Sequence, residues 1–428
     1  MKRRDVIKNL TLLPVVGSVF PIQSMLVAPV ADDVLPVARP YQDKPMSELH
    51  RNSFVMDGHV HVMLRELLNN TDVGQRYSDG TVDLPRAIEG GLDAMFFSVY
   101  TPEEYYPGRF ETKHSFRILQ LAIDQIKKND AIIEVALNVS DIERINKKGK
   151  IAAFLDLEGS FDLEGDPLIL RALYTMGLRC LQLTAHNTTN SFIDACTDAI
   201  VWGGINDHGR TVIREMNDLG MIINVSHASM DAIIQTAEAS RHPITYSHGG
   251  FRSIVDVSRC LSDEAAKAIA AKGGVIGIQF GSSFNNPQYD EWKRQGRPRS
   301  APVDRRASSP PVFNLRPDMH GNTISEVDAK LAPQMPMIFR GTIPDEVWLG
   351  ADQLAKVIDY GVNLVGEDHI ALGSDFDGWA DLVKDIRDIS DYPQITIALL
   401  KLGYSEQRIR KILGLNWLRL IREVTEGK

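Results

Sequence analysis

Eight short apolar runs recur along this chain, alternate with helix-like stretches, and several end in an ionisable side chain. A run of four to eight apolar or β-branched residues reads as a strand buried on both faces, the kind a parallel sheet contains. The runs are Phe54 to His59, Leu92 to Tyr100, Ile151 to Leu157, Leu178 to Thr184, Met221 to Ser226, Ile244 to Ser247, Gly274 to Phe280 and His369 to Ser374. Helical patterns fall between them at Ser115 to Lys128, Gly209 to Leu219, Ser229 to Glu238, Ser262 to Ala271 and Ala351 to Tyr360. Ser229 and Ser262 are suited to cap a helix N-terminus, and Gly220 and Gly273 to stop one. Eight such units predict a single α/β domain, a (β/α)8 TIM barrel. An open doubly wound sheet is the rival, but neither G-x-G-x-x-G nor G-x-x-x-x-G-K-[ST] is present.

Composition narrows the partners. Hydrophobic residues make up 43% and charged residues 24% of the 428 residues, a globular balance. A net charge of -9 gives none of the basic surface that a nucleic-acid binder needs. The three cysteines, Cys180, Cys196 and Cys260, are too few for a disulfide framework and form no C-x-x-C pair.

The N-terminus differs from the rest. Met1-Lys2-Arg3-Arg4 precedes an apolar stretch from Leu10 to Val27, interrupted by Pro14 and Pro21. Adjacent arginines before a modest apolar region resemble a twin-arginine export signal, here 1–30, with a linker over 31–50. The expected location is periplasmic or extracellular, with no stable membrane span. The remaining 51–428 reads as the barrel domain, with a proline-rich, irregular insertion at 285–340 between the seventh and eighth strands. The amphipathic stretch from Ser405 to Val424 is read as a packing helix.

Chemistry gathers at the C-terminal ends of barrel strands. The first run delivers Asp57, His59 and His61, the third Glu158, the fourth His186, the fifth His227, the sixth His248 and the eighth Asp375. The H-x-H spacing puts both imidazoles on one side of a strand. Neutral imidazole is a common zinc ligand. Five candidate ligands, His59, His61, Glu158, His227 and His248, are too many for one tetrahedral ion. They suit two ions roughly 3.5–4 Å apart that share Glu158 and hold a hydroxide. Asp375 is then placed to relay a proton. Asp156 is a minor alternative ligand and Asp377 is expected to hydrogen-bond locally. His50, His114, His208, His242, His320 and His369 lack this placement and are read as solvent-facing or structural.

The pieces Asp57-Gly58-His59-Val60-His61, Leu155-Asp156-Leu157-Glu158-Gly159, Leu183-Thr184-Ala185-His186-Asn187, Val225-Ser226-His227, Ser247-His248, Ser258-Arg259 and Gly373-Ser374-Asp375-Phe376-Asp377-Gly378 occur in the order found in a known family. The chain resembles the membrane (renal-type) dipeptidases, peptidase family M19, over roughly residues 50 to 425. The resemblance implies two Zn2+ ions per subunit and a dipeptide substrate. It implies that His186 contacts the substrate carbonyl, Arg259 its terminal carboxylate, and Asp375 acts as acid and base. A guanidinium suits bidentate pairing with a carboxylate.

The sequence also departs from that family, which usually has Asp where His61 stands, so the site carries one negative charge fewer. The disulfides and lipid anchor of the animal members are not carried over. The alternative reading is another binuclear amidohydrolase, acting on N-acyl amino acids, lactones or phosphoesters. A homodimer is left open.

Overall fold

The computed structural model describes residues 47–63, 72–77, 80–102, 110–159, 166–295 and 343–427. The expected export signal, most of the expected linker, His320 and residues 296–342 of the insertion lie outside them. Val34–Lys428 forms one compact unit.

Its strands are β1 (Met56–Val60), β2 (Ala94–Tyr100), β3 (Ile133–Ala136), β4 (Ile151–Glu158), β5 (Cys180–Gln182), β6 (Ile222–Asn224), β7 (Thr245–Gly249), β8 (Val275–Ile278) and β9 (Ile370–Leu372). Eight of them pair in parallel in the order β1-β2-β4-β5-β6-β7-β8-β9. The seam between β9 and β1 is held at the end of β1 and just past the end of β9. Val60 bridges Phe376, and the Asp375 N–H donates to the His59 carbonyl at 2.9 Å. Helices cover the outside, as the alternation of runs predicts, and the sheet is the nearly closed barrel of a (β/α)8 fold.

Three details differ from the sequence reading. β3 was not among the expected strands; it pairs with the first half of β4 outside the barrel order. Its Glu134 and Val135 are only half-buried, so it lacks the continuous apolar signal of the barrel strands. The C-terminal packing helix is not uniform, since a π turn at Lys411–Leu415 interrupts it. Gly414 sits there against Phe54, where a Cβ would come 2.7 Å from the Phe54 carbonyl oxygen. A short helix, Ser282–Asn285, leads into the insertion, and the insertion's first stretch is also helical, at Pro287–Arg294.

The predicted caps form. The Ser229 and Ser262 side chains accept from the N–H groups of Ala232 and Ala265, and Gly220 ends its helix with φ 72°. Trp417, on the helix Asn416–Thr425, packs across the N-terminal end of the barrel against Phe96. Its indole N–H donates to the Leu372 carbonyl at 3.0 Å. Gly58 leaves the room for it, because a Cβ there would lie 2.2 Å from the Trp417 ring. One end of the barrel is thus closed by packing, and the other is left for polar groups.

Candidate metal centre and active site

At the C-terminal end of the barrel the backbone is bent to turn side chains inward. His186, His227, Asp375 and Asp377 hold φ of 55°, 65°, 63° and 60°, in the left-handed region. Each such conformation costs on the order of 1–3 kcal/mol in a non-glycine residue and persists where surrounding bonds enforce it. The Cys196 N–H donating to the His227 carbonyl at 2.8 Å is one such bond.

Glu158 is the centre of the site. Its Oε2 lies 3.0 Å from His61 Nε2 and 3.3 Å from His59 Nε2. Its Oε1 lies 3.0 Å from His227 Nε2 and 3.5 Å from His248 Nε2. Within each pair the Nε2 atoms converge, at 3.0 Å for His59 and His61 and 3.2 Å for His227 and His248. Each oxygen of one carboxylate therefore faces its own pair of imidazoles. His186 Nε2 is 3.9 Å from Oε1, and Glu158, His186 and His227 also converge closely enough to hold an ion.

The outer partners of these rings are unequal. His59 Nδ1 faces Ser98 Oγ at 3.0 Å and Asp156 Oδ2 at 3.4 Å, and the Ser98 hydroxyl donates to Asp156 at 2.8 Å. His227 Nδ1 faces Asn187 Oδ1 at 3.2 Å, and His248 Nδ1 faces Ser247 Oγ at 3.0 Å. A partner on Nδ1 fixes the tautomer that leaves Nε2 its lone pair for a metal. Among the described residues His61 Nδ1 is buried without such a partner.

These groups fit a pair of divalent cations. In each pair, ring nitrogens at 3.0 and 3.2 Å can share only one proton if neutral, whereas a cation satisfies both lone pairs. The two pairs differ in how they hold protons. Burial pulls the His59 imidazolium down, but the charge of Glu158 and bonds to Asp156 and Glu158 hold its pKa up to about 10. His61 is likewise held up to about 9 against burial by Asp375 and Glu158. Burial would raise Glu158, yet His59 and the other imidazoles hold it well below the carboxylate range. His227 and His248 are pushed well below the usual imidazole value by burial, then by Arg259 and His59 respectively.

Around this centre lies a cavity of about 290 Å³, lined by Tyr100, His186, Asn187, Arg259, Phe284, Asp375 and Trp379 among others. Asp375 Oδ1 is 3.3 Å from His61 Nε2, and the Gln279 amide donates to Oδ2 at 3.0 Å. Arg259 is 7% exposed, and its guanidinium donates to the Tyr246 hydroxyl and to the His248 carbonyl.

A model of the membrane dipeptidase family, peptidase family M19, matches residues 44–428. The chain belongs to that family. Its class is that of a metallo-dipeptidase, a metal-dependent hydrolase acting on dipeptides. Dipeptidase tcpJ of Claviceps purpurea (strain 20.1) is 27% identical over 358 residues, 81% of this chain and 70% of that protein. Dipeptidase verJ of Clonostachys rogersoniana is 26% identical over 354 residues, 80% of this chain and 76% of that protein. The fold matches that of the probable dipeptidase PvdM from Pseudomonas aeruginosa with a TM-score of 0.72 at 24% identity, over 89% of this chain and 98% of that one.

The structure brings His61, Glu158, His186, His227, His248, Arg259 and Asp375 together at one cavity, with His59 buried behind them against Glu158. Asp57, read among the strand-end polar groups, lies one layer below and binds Ser374 instead. Asp156 sits behind His59 rather than beside the paired ring nitrogens. Asp377 accepts from the Thr81 backbone N–H and hydroxyl, a long-range clamp rather than a local bond. His50 and His114 are buried and structural, bonded to Thr396 and to the Tyr100 carbonyl. Ser98, Asn187 and Gln279 went unread in the sequence. The signal for Ser98 and Gln279 is a lone polar residue inside an apolar run, as in Phe97-Ser98-Val99 and Ile278-Gln279-Phe280.

Proposed function

We propose that this metallo-dipeptidase carries two zinc ions bridged by Glu158 and cleaves dipeptides that have a free C-terminal carboxylate. The observation that carries this reading is the division of Glu158, one oxygen toward His59 and His61 and the other toward His227 and His248. When bound, the ions supply Lewis acidity and an activated water at neutral pH. His59 and His61 would hold one ion with Glu158; His227 and His248 would hold the other.

The remaining roles follow from the cavity wall. Arg259 has five N–H donors. It is buried, and one amine of its fork is spent on Tyr246 and another on His248, which leaves donors for a substrate carboxylate. Asp375, held by Gln279 through one oxygen, has the other beside His61 and can take a proton from water and deliver it to the leaving amine. His186 faces the same cavity and would donate to the developing oxyanion. We propose further that Arg3 and Arg4 direct export of the folded enzyme. Replacing both with lysine should retain it in the cytoplasm, and unchanged export would remove that element.

The deciding experiment is hydrolysis of a dipeptide panel by the metal-loaded full chain, with and without a chelator, beside metal analysis by mass spectrometry. About two zinc equivalents and chelator-sensitive cleavage support the reading. Cleavage of N-acetyl amino acids but of no dipeptide would favour the N-acyl amidohydrolase alternative.

A further inference from the structure

Two histidines of the site stand side by side and are asked to do opposite things. His227 must present a lone pair from Nε2 if it holds an ion. His186 must present an N–H from Nε2 if it meets an oxyanion. Both rings line one cavity with centroids 4.2 Å apart, and both reach toward Glu158 Oε1, at 3.0 and 3.9 Å. By position alone either could be the ligand.

One side chain touches both on the far nitrogen. Asn187 Oδ1 is 3.2 Å from His227 Nδ1, and Asn187 Nδ2 is 3.0 Å from His186 Nδ1. An amide oxygen only accepts and an amide nitrogen only donates. Oδ1 therefore accepts a hydrogen bond from an N–H at His227 Nδ1, which leaves Nε2 of that neutral ring unprotonated. The Nδ2–H donates a hydrogen bond to the lone pair of His186 Nδ1, which puts the hydrogen of that neutral ring on Nε2, facing the cavity. The Tyr100 hydroxyl, 3.3 Å from His186 Nδ1, can add a second donor there. The Thr197 hydroxyl, 3.2 Å from Asn187 Oδ1 and 3.0 Å from the Asn187 carbonyl oxygen, shares its single hydrogen between these two acceptors in this orientation of the amide. Turning the amide over would exchange the two tautomers, putting the hydrogen of His227 on Nε2 and that of His186 on Nδ1.

We infer that Asn187 is a positioning residue that sorts its two neighbours by tautomer, making His227 a metal ligand and His186 a hydrogen-bond donor to the substrate. The inference rests on the dipeptidase reading for the role of His186, but the tautomers themselves do not depend on any substrate. Asparagine is required because no other side chain of this length offers one acceptor and one donor in a fixed fork. A carboxylate would accept from both rings and draw the His186 proton to Nδ1. The His186 lone pair would then face the ions, as an added ligand in place of a donor.

The test is Asn187→Asp, nearly isosteric, in the zinc-loaded full chain with nitrogen-15-labelled histidine. Imidazole nitrogen shifts report which nitrogen carries the proton, with His186→Gln and His227→Gln used to assign the two rings. The wild type should show the proton of His186 on Nε2 and that of His227 on Nδ1. In Asn187→Asp both should sit on Nδ1, with zinc content unchanged and kcat for a cleaved dipeptide lower by about 100-fold, the loss expected for one oxyanion donor, while KM changes little. Asn187→Ala removes both bonds and should also weaken zinc binding about 10–100-fold. A wild-type His186 proton on Nδ1, or an Asn187→Asp enzyme with wild-type kcat, overturns the inference. If no dipeptide is cleaved, the dipeptidase reading fails while the nitrogen shifts still decide the tautomers.

Discussion

Asp57 reaches across the barrel seam to Ser374: its Oδ1 accepts the Ser374 backbone N–H at 2.9 Å and the His59 N–H at 3.0 Å, and its Oδ2 accepts the Ser374 hydroxyl. The carboxylate thus ties β1 to β9 beneath the two residues, His59 and Asp375, that each strand delivers to the site. Burial raises its pKa, against the bonds from Ser374 and Tyr392 that favour the charged form. Asp57→Ala leaves buried donors without acceptors, which should lower stability by about 3 kcal/mol, read from urea unfolding. Unchanged stability would show that the seam is held without it.

His61 is the candidate ligand whose outer nitrogen has no partner, and a ligand so oriented is replaceable. His61→Ala should reduce zinc from two equivalents to one, measured by mass spectrometry after dialysis. His61→Asp should restore the second, because a carboxylate adds charge to the site. Two equivalents in His61→Ala would remove the residue from the ligand set.

Arg259 is expected to read the substrate carboxylate. Arg259→Met should raise KM for a free dipeptide by about 10–100-fold, the size of a lost charge-assisted hydrogen bond. The C-terminally amidated analogue, already poor, should change little. Because Arg259 also bonds Tyr246 and the His248 carbonyl, the ratio between the two substrates, not either rate alone, is the measurement.

His50 supplies a pH dependence remote from the metal centre. Burial pulls its imidazole down to about 4, against the Gly90 carbonyl that pushes it up. The folded state therefore holds the ring neutral while the unfolded chain protonates near 6.5. The unfolded state binds more protons between those values, so stability is full above about pH 6.5 and is lost as pH falls toward 4, by about 3 kcal/mol. His50→Gln should flatten that part of the stability profile, and an unaltered slope would refute the assignment.

Gly58 and Trp417 should couple. Gly58→Ala drives a methyl into the indole and should cost about 1–3 kcal/mol, the usual range for overpacking. In a Trp417→Leu background the same change should cost less. Equal costs in both backgrounds, measured by thermal unfolding, would place the strain on the nearby Leu372 carbonyl instead.

The apolar runs alone determined the barrel and which polar residues stand at its mouth, because a strand buried on both faces must be apolar until it ends. That regularity made His59, Glu158, His227, His248 and Asp375 legible from sequence spacing. It could not separate Asp57 from the site, since both lie at one strand end and only the left-handed turns and seam contacts decide which layer each side chain enters. It was silent on Ser98, Asn187 and Gln279, which meet His59 and Asp156, His227, and Asp375 respectively across long stretches of chain. The pairing of each Glu158 oxygen with two imidazoles is likewise a product of tertiary structure. Residues from β1, β4, β6 and β7 meet there, and no local pattern encodes which nitrogen faces which oxygen.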